Sequence, residues 1–309
     1  MRWRAGFNST LARGDGGFIL IAVLWILIAL ATLVSIYAVY VINTAYTIAA
    51  NDDRVNAEAL FTAAVELTAY RLTAVPKEER PTSGTANFRM GQANIVLEFV
   101  SEAARIDLNA APKGLLSNLF VVLGAPPADA EQYADRIVAW RARSENQNVE
   151  DDAESAEYRA AGRNYNPRRA PFQHAGELWL VLGLPPILVE RALPYVTVFN
   201  GQPAINILGA PPAVIAALPG ITPEQLNAVL VERQARTVNG AVLLELLGPA
   251  RNAATLEGGK ATRITVEVNF DNGRRVSSEI VILLNDDADE PYRVLSWRDD
   301  FDQMAPIRR

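Results

Sequence analysis

Residues 18–42 read FILIAVLWILIALATLVSIYAVYVI, an apolar stretch without charge, proline or glycine. As an α-helix, this stretch is about 38 Å long, which exceeds the roughly 30 Å hydrocarbon core of a bilayer. We therefore expect it to span a membrane. The next proline or glycine is Pro76, so we expect the helix to continue beyond the membrane surface. Apolar residues at three- and four-residue spacing predict that Arg54–Ala74 is amphipathic.

The segment before the span is basic and ends in glycine. Its charged residues are Arg2, Arg4, Arg13 and Asp15. An excess of arginine on this side places it in the cytoplasm. A secretory signal peptide has a shorter apolar core, about 7–15 residues, followed by a small-residue cleavage site. Here the small residues, Gly16-Gly17, precede the apolar run, and cleavage at Ala49-Ala50 is the weaker alternative.

Composition limits the kinds of protein this chain can be. It has 309 residues, a net charge of −6, no cysteine and a single histidine, His174. The acidic balance disfavours nucleic acid or anionic lipid as the main partner. One histidine excludes a multi-histidine metal site, and we expect no enzymatic activity.

Strand patterns flank a helical middle region. The predicted strands are Ala86–Met90, Ala93–Ser101, Thr262–Phe270, Arg275–Leu284 and Tyr292–Arg298. Asn272-Gly273 predicts a two-residue hairpin turn between two of them. We expect one antiparallel sheet that packs a face on the amphipathic helix. The helical region is then an insertion between strands.

The helical region contains an internal repeat. Residues 106–112, IDLNAAP, return 99 residues later as INILGAP at 205–211. Each copy is followed by two helical stretches: Leu115–Leu123 with Ala128–Arg143, and Ala213–Leu218 with Pro223–Arg236. Residues 177–196 form a third, looser unit with predicted helices over Glu177–Leu182 and Pro186–Val196.

The Gly17-Phe18 junction before an apolar span resembles the cleavage site of type IV prepilins and pseudopilins. The whole chain resembles the minor pseudopilin K family of bacterial type II secretion. Matching segments are Asp107–Pro112, Ala153-Glu154 with Tyr158, Asn166, Glu177-Leu178 and Val294–Arg298. Most pseudopilins have glutamate five residues into the mature chain, whereas this position is Ala22 here, as in the K branch.

The resemblance implies an α+β fold. A long N-terminal pilin-like helix packs on an antiparallel sheet that carries an inserted all-α domain of helix-hairpin-helix or SAM-like units. The implied divisions are a leader (1–17), a transmembrane helix (18–42), a pilin-like domain in two parts (43–109 and 251–309) and the inserted domain (110–250).

The resemblance also implies a mechanism of assembly. Prepilin peptidase cuts between Gly17 and Phe18 and methylates Phe18, and Ala22 marks the pseudopilus tip. The implied partners are I- and J-type minor pseudopilins and other pseudopilus subunits. The implied location is the inner membrane, with a single pass, a cytoplasmic N-terminus and a periplasmic globular part.

A membrane-tethered DNA receptor of competence type is the alternative. Paired helices around Leu218–Ile221 resemble helix-hairpin-helix modules, which often bind DNA phosphates through Gly-x-Gly turns. This turn has Ile221 in place of a second glycine, and basic residues nearby are few. Non-specific DNA binding requires a concentrated basic face, so we expect no nucleic-acid partner.

An acidic segment, 144–169, contains the candidate calcium ligands Asp151, Asp152, Glu154 and Glu157. Carboxylates suit calcium, which takes six to eight oxygen ligands. The spacing does not match an EF-hand, and neighbouring arginines offer the same carboxylates another partner. Members of the K family can bind calcium, and they usually have aspartates where Arg141-Ala142-Arg143 follow Trp140 here. A solvated loop is therefore favoured, and no cofactor is required.

Overall fold

A computed structural model describes residues 16–142, 153–235, 238–286 and 290–300. The chain divides into two compact units, whose boundary in sequence lies between Glu58 and Ala59. Each unit is described by itself below.

Helix α1, Gly16–Thr73, contains 58 residues. It continues because neither proline nor glycine interrupts the sequence between Phe18 and Pro76. Within the first unit, Leu20–Thr44 has a mean hydropathy of 2.6 and exposes its apolar side chains. Its serine and threonine hydroxyl groups donate to carbonyls of the preceding turn, as in Ser35 Oγ to Ala31 O at 2.8 Å. This segment is long and apolar enough to cross a membrane.

In the second unit the last turns of α1 bury one side. Phe61, Ala64, Val65 and Leu72 are at most 1% exposed, as the amphipathic pattern predicted. On another side of the helix, the Glu66 carboxylate accepts a hydrogen bond from Tyr292 Oη at 2.8 Å. This contact connects α1 to the last strand of the sheet.

The sheet of the second unit is antiparallel, as predicted. Among the described residues its strands lie in the order β1-β2-β7-β8-β9, with the bounds β1 Ser83–Met90, β2 Ala93–Ser101, β7 Ala261–Phe270, β8 Arg275–Leu284 and β9 Tyr292–Asp300. Ile95 pairs with Val268, and Leu97 with Val266, so that neighbouring strands bury the same face. The turn between β7 and β8 contains Gly273 at φ 85°, a conformation that glycine adopts without strain.

The chain between β2 and β7 is mainly helical. Its helices are α2 Lys113–Val122, α3 Pro127–Arg141, α4 Ala153–Ala160, α5 Pro186–Ala192, α6 Pro212–Ala216, α7 Pro223–Glu232 and α8 Gly240–Leu246. Short 3-10 helices in this part of the chain cover Glu102–Ala104, Ala175–Leu180, Leu193–Tyr195 and Gly248–Ala253, and another, Lys77–Glu79, precedes β1. A single hydrophobic core runs through the helices from α2 to α8, with Leu119, Phe120, Ile137, Tyr158 and Ile215 almost fully buried.

Two parallel strand pairs close the repeated units. β3 Ile106–Asp107 pairs with β4 Val196–Thr197. β5 Ile205–Asn206 pairs with β6 Ala254–Thr255. We call residues 106–201 module 1 and residues 205–257 module 2. Each module begins with the repeated phrase and brings its two ends together at a strand pair.

Helix ends differ from the sequence prediction in the third, looser unit. The helix predicted over Pro186–Val196 ends at Ala192 and continues as a 3-10 turn through Tyr195. Pro194 has no amide hydrogen to donate, and its ring disfavours a continuous α-helix. The predicted helix over Glu177–Leu182 is a 3-10 helix over Ala175–Leu180.

Candidate functional site

The predicted processing junction lies in the first turn of α1. Gly17 and Phe18 are helical, and Ala22 is half-buried in the same helix. Positions 18 and 22 are four residues apart, so they lie on one face of the helix. The side chain at 22 carries no carboxylate that could face a cation near residue 18.

Glycine turns connect the paired helices that follow the two repeated phrases and those of the third, looser unit. Gly124, Gly183 and Gly220 all have positive φ, at 100°, 84° and 79°. A Cβ at Gly183 or Gly220 would contact nothing within 4 Å. The backbone conformation, and not a lack of space, therefore requires glycine at these two turns.

The chemistry around the Gly220 turn does not favour phosphate. Thr222 and Gln225 form a capping box at the start of α7, which uses amides that an anion would otherwise bind. Glu224 lies in the first turn of α7, and hydrogen bonds from its own amide and from Thr222 lower the pKa of this carboxyl. Arg233, at the end of α7, donates to the carbonyl of Ala210 at 2.6 Å and is thereby engaged away from the turn. The negative charge of Glu224 in the first turn of α7 would repel a phosphate.

The candidate calcium ligands fall into two groups. Asp151 and Asp152 lie outside the described residues. Glu154 pairs with Arg169 at 2.9 Å between Oε2 and Nη2, and Glu157 pairs with Arg136. Within the described part of the chain, no group of three or more histidine, cysteine, aspartate or glutamate side chains could hold a metal ion.

Glu177, which the sequence resemblance singled out, is buried and well bonded. Its Oε1 accepts from Arg168 at 3.2 Å and from the amide of Gln173 at 3.0 Å. Its Oε2 accepts from Trp140 Nε1 at 3.2 Å. Three hydrogen bonds, one of them from a cation, satisfy a carboxylate that is 3% exposed.

Aromatic side chains pack around this carboxylate. The Trp140 ring stacks on Phe172 with centroids 6.1 Å apart, and it lies 6.2 Å from Tyr158. Burial raises the pKa of Tyr158 to about 12, although the hydrogen bond from the Leu182 amide opposes the shift. Burial also raises the pKa of Glu154. The acidic side chains of Glu154 and Glu177 therefore belong to a packed interior.

The sequence reasoning missed a buried ionic network between the sheet and module 1. Glu102 is fully buried, accepts from Thr197 of β4 and pairs with Arg263 of β7 at 2.7 Å. Burial lowers the pKa of the neighbouring Arg105 to about 10. This network has little local signal in the sequence, because the partners of Glu102, Thr197 and Arg263, are 95 and 161 residues away in sequence.

Comparisons with known proteins agree with this architecture. The family model described as "Type II secretion system (T2SS), protein K" matches residues 95–201, which run from β2 to the end of module 1. The resemblance to minor pseudopilin K is confirmed. No match was found among curated proteins.

A solved structure shares the fold. It is a chain of the crystal structure of the GspK-GspI-GspJ complex from the type 2 secretion system of enterotoxigenic Escherichia coli. The two chains are 17% identical, and the similarity covers 81% of this chain and 98% of that chain, with a TM-score of 0.59. At this identity the likeness shows the fold, a long N-terminal helix with an antiparallel sheet and further helices.

Proposed function

We propose that this protein is a minor pseudopilin that initiates and caps the pseudopilus tip, for protein export across the outer membrane. The observation that carries the proposal is the uninterrupted helix Gly16–Thr73, which begins at the Gly17-Phe18 junction and leads into a K-type globular part. Its apolar half is exposed and therefore requires lipid or neighbouring helices around it. The function is assembly, without catalysis.

The first step of the proposed mechanism is processing. Prepilin peptidase cuts between Gly17 and Phe18 and methylates the new amine of Phe18. The globular part then lies in the periplasm, and the apolar helix remains in the inner membrane until the subunit joins the pseudopilus.

The second step is placement at the tip. A subunit whose fifth mature residue is glutamate pairs that carboxylate with the amine of the subunit above. Ala22 cannot do so, and a charged amine left unpaired among apolar helices costs several kcal/mol. The protein therefore occupies a position with no subunit above it, and its own Phe18 amine pairs with a carboxylate below.

The inserted helical domain supports the same placement. In the proposed domain division, residues 110–250 form helix-hairpin-helix or SAM-like units between the two parts of a pilin-like domain. A domain of this size would crowd a subunit stacked above it. We propose that I- and J-type minor pseudopilins are its direct partners.

Processing is tested by mass analysis of the N-terminus. Wild-type protein should begin at Phe18, and Gly17→Val should leave the precursor uncut. Gly16→Val is the matched control and should still be processed. A first residue at Asn51 would show conventional signal-peptide cleavage and contradict the proposal.

Tip placement is tested by counting copies of the full chain. Native mass spectrometry of the full chain with I- and J-type pseudopilins should give a one-to-one-to-one complex without self-association. Crosslinking beside residue 22 should find one copy per filament. Ala22→Glu restores a carboxylate, and Ala22→Gln is its uncharged control; both should fold normally. Many wild-type copies along isolated filaments would overturn the tip assignment.

A further inference from the structure

Three carboxylates of module 1 each pair with an arginine. The pairs are Glu154 with Arg169, Glu157 with Arg136, and Glu177 with Arg168. The carboxylates of the first and third pairs are substantially buried: the side chains of Glu154 and Glu177 are 12% and 4% exposed. Oxygen ligands that could attract a metal ion are thus already opposite guanidinium groups.

Arg169 adopts a backbone conformation that needs an explanation. Among the described residues it is the one non-glycine residue with positive φ, at 56°. Residues other than glycine adopt this region at a steric cost, because the Cβ atom approaches the following carbonyl oxygen. The conformation accompanies a side chain that is only 15% exposed, whose Nη1 donates to the Ala139 carbonyl at 3.4 Å and whose Nη2 pairs with Glu154. Arg169 thereby connects its own loop to α3 and α4.

Arg141, at the end of α3, similarly connects its helix to another segment, the repeated phrase at residues 106–112. Its guanidinium donates to the carbonyls of Leu108 and Ala111, the latter at 2.7 Å. These two carbonyls lie on either side of the turn between β3 and α2. The planar fork of arginine can hold two acceptors in fixed geometry. Backbone carbonyls of this kind are also oxygen ligands that calcium uses.

We propose that the guanidinium groups of Arg141 and Arg169 act as built-in cations in module 1, so that its folding does not depend on a divalent ion. They hold α3 to the turn of the repeated phrase and to α4. This goes beyond the assembly role and does not rest on it.

The described residues do not fit a calcium ion in addition to these two arginines. Calcium takes six to eight oxygens, whereas Glu154 retains a single buried oxygen, Oε1, without a hydrogen-bond partner. The other oxygen of Glu154 lies 2.9 Å from the Arg169 guanidinium. A second cation beside this group would be repelled, most strongly where water is excluded.

Hydrogen–deuterium exchange of the full chain in detergent micelles tests the proposal locally. The exchange rates of the amides in α3 and α4 report on module 1. They are measured in excess calcium chloride and in EGTA, and the two sets of rates are compared. We expect the same exchange rates in both conditions. Slower exchange of α3 and α4 in calcium would overturn the proposal, because a bound ion would then stabilise module 1.

Substitutions of the arginines complete the test. Arg169→Ala should accelerate exchange in α3 and α4 about tenfold, because a buried carboxylate loses its partner. Arg169→Gly should accelerate it less, since glycine removes the backbone strain. Exposed Arg163→Ala is the matched control and should leave the rates unchanged.

Arg169→Lys provides a further measurement in case Arg169→Ala does not fold. Lysine keeps the charge without the planar fork, and we expect exchange between that of wild type and Arg169→Gly. Equal rates for Arg169→Ala and Arg163→Ala would contradict the proposal. Restoration of the Arg169→Ala rates by calcium would support it, because the metal would then replace the missing cation.

Discussion

Modules 1 and 2 begin with related seven-residue phrases, which differ in a buried side chain at the second position. In module 1 the second residue is Asp107, and in module 2 the equivalent residue is Asn206. Both are almost fully buried, at 1% and 0% exposure. The difference follows from the backbone groups that the end of each module presents to this side chain.

Asp107 faces only donors. Its Oδ1 accepts from the amides of Asn109 at 2.7 Å and Ala110 at 3.1 Å. Its Oδ2 accepts from the amide of Gly201 at 2.7 Å, where the chain returns beside the β3–β4 pair. A carboxylate is the side chain that accepts on both oxygens.

Asn206 faces both donors and acceptors. Its Oδ1 accepts from the amides of Leu208 and Gly209, at 3.0 and 3.1 Å, as Asp107 does at the equivalent positions. Its Nδ2 donates to the carbonyls of Leu256 and Glu257, both at 2.9 Å. The returning chain presents carbonyls here and an amide in module 1, so this position requires an amide side chain.

The strongest test of this comparison is Asn206→Asp. The substitution places a carboxylate oxygen against two buried carbonyls, and a buried charge without a partner costs about 3–5 kcal/mol. We expect a large loss in the free energy of unfolding, measured by urea denaturation of the full chain in detergent. Exposed Asn252→Asp, in the same module, is the control and should have little effect. Wild-type stability for Asn206→Asp would show that module 2 does not require the amide.

Local patterns predicted much of the fold. Alternation in 262–270 and 275–284 around Asn272-Gly273 gave the β7–β8 hairpin, and the unbroken run after Phe18 gave α1. These features depend on neighbours in sequence, so periodicity and turn chemistry are sufficient to recognise them. The repeat over 106–112 and 205–211 was likewise visible.

Long-range contacts were not predictable in the same way. The replacement of Asp107 by Asn206 was visible in the repeat, but its reason lies 94 residues away at Gly201 and 50 residues away at Leu256. The left-handed backbone of Arg169 also has no local signal in the sequence, and its side chain pairs with Glu154 of α4. Sequence reasoning identified Glu154 and Glu157 as candidate ligands and could not assign their arginine partners.

Asp107→Asn tests module 1 with a smaller expected effect. The amide group would turn a donor toward the amide of Gly201 or toward Asn109, leaving one buried N–H without an acceptor. Loss of such a hydrogen bond to a charged group costs about 1–3 kcal/mol. We expect a lower urea midpoint with an unchanged m-value.

The control for Asp107→Asn is Asp135→Asn, an exposed aspartate that pairs with Lys113. Exposed ion pairs contribute little to stability because solvent screens them, so this change should be small. Equal effects of the two substitutions would mean that the closure of module 1 does not depend on the charge of Asp107.

The smallest expected effect comes from the two arginines that donate to carbonyls of the repeated phrases. Arg141 donates to two carbonyls, Leu108 and Ala111, whereas Arg233 donates to the carbonyl of Ala210, which is the equivalent of Ala111. Lysine offers a compact ammonium in place of a planar fork, so it can retain one carbonyl contact more readily than two. Arg141→Lys should therefore lower the free energy of unfolding by about 1 kcal/mol, the net value of one hydrogen bond. Arg233→Lys should lower the free energy of unfolding less. Exposed Arg251→Lys is the control for replacing an arginine by a lysine. Urea denaturation of the three variants measures the difference. Equal losses for Arg233→Lys and Arg141→Lys would show that the second carbonyl contact adds nothing to module 1, and that the two modules are held at this position by equivalent single bonds.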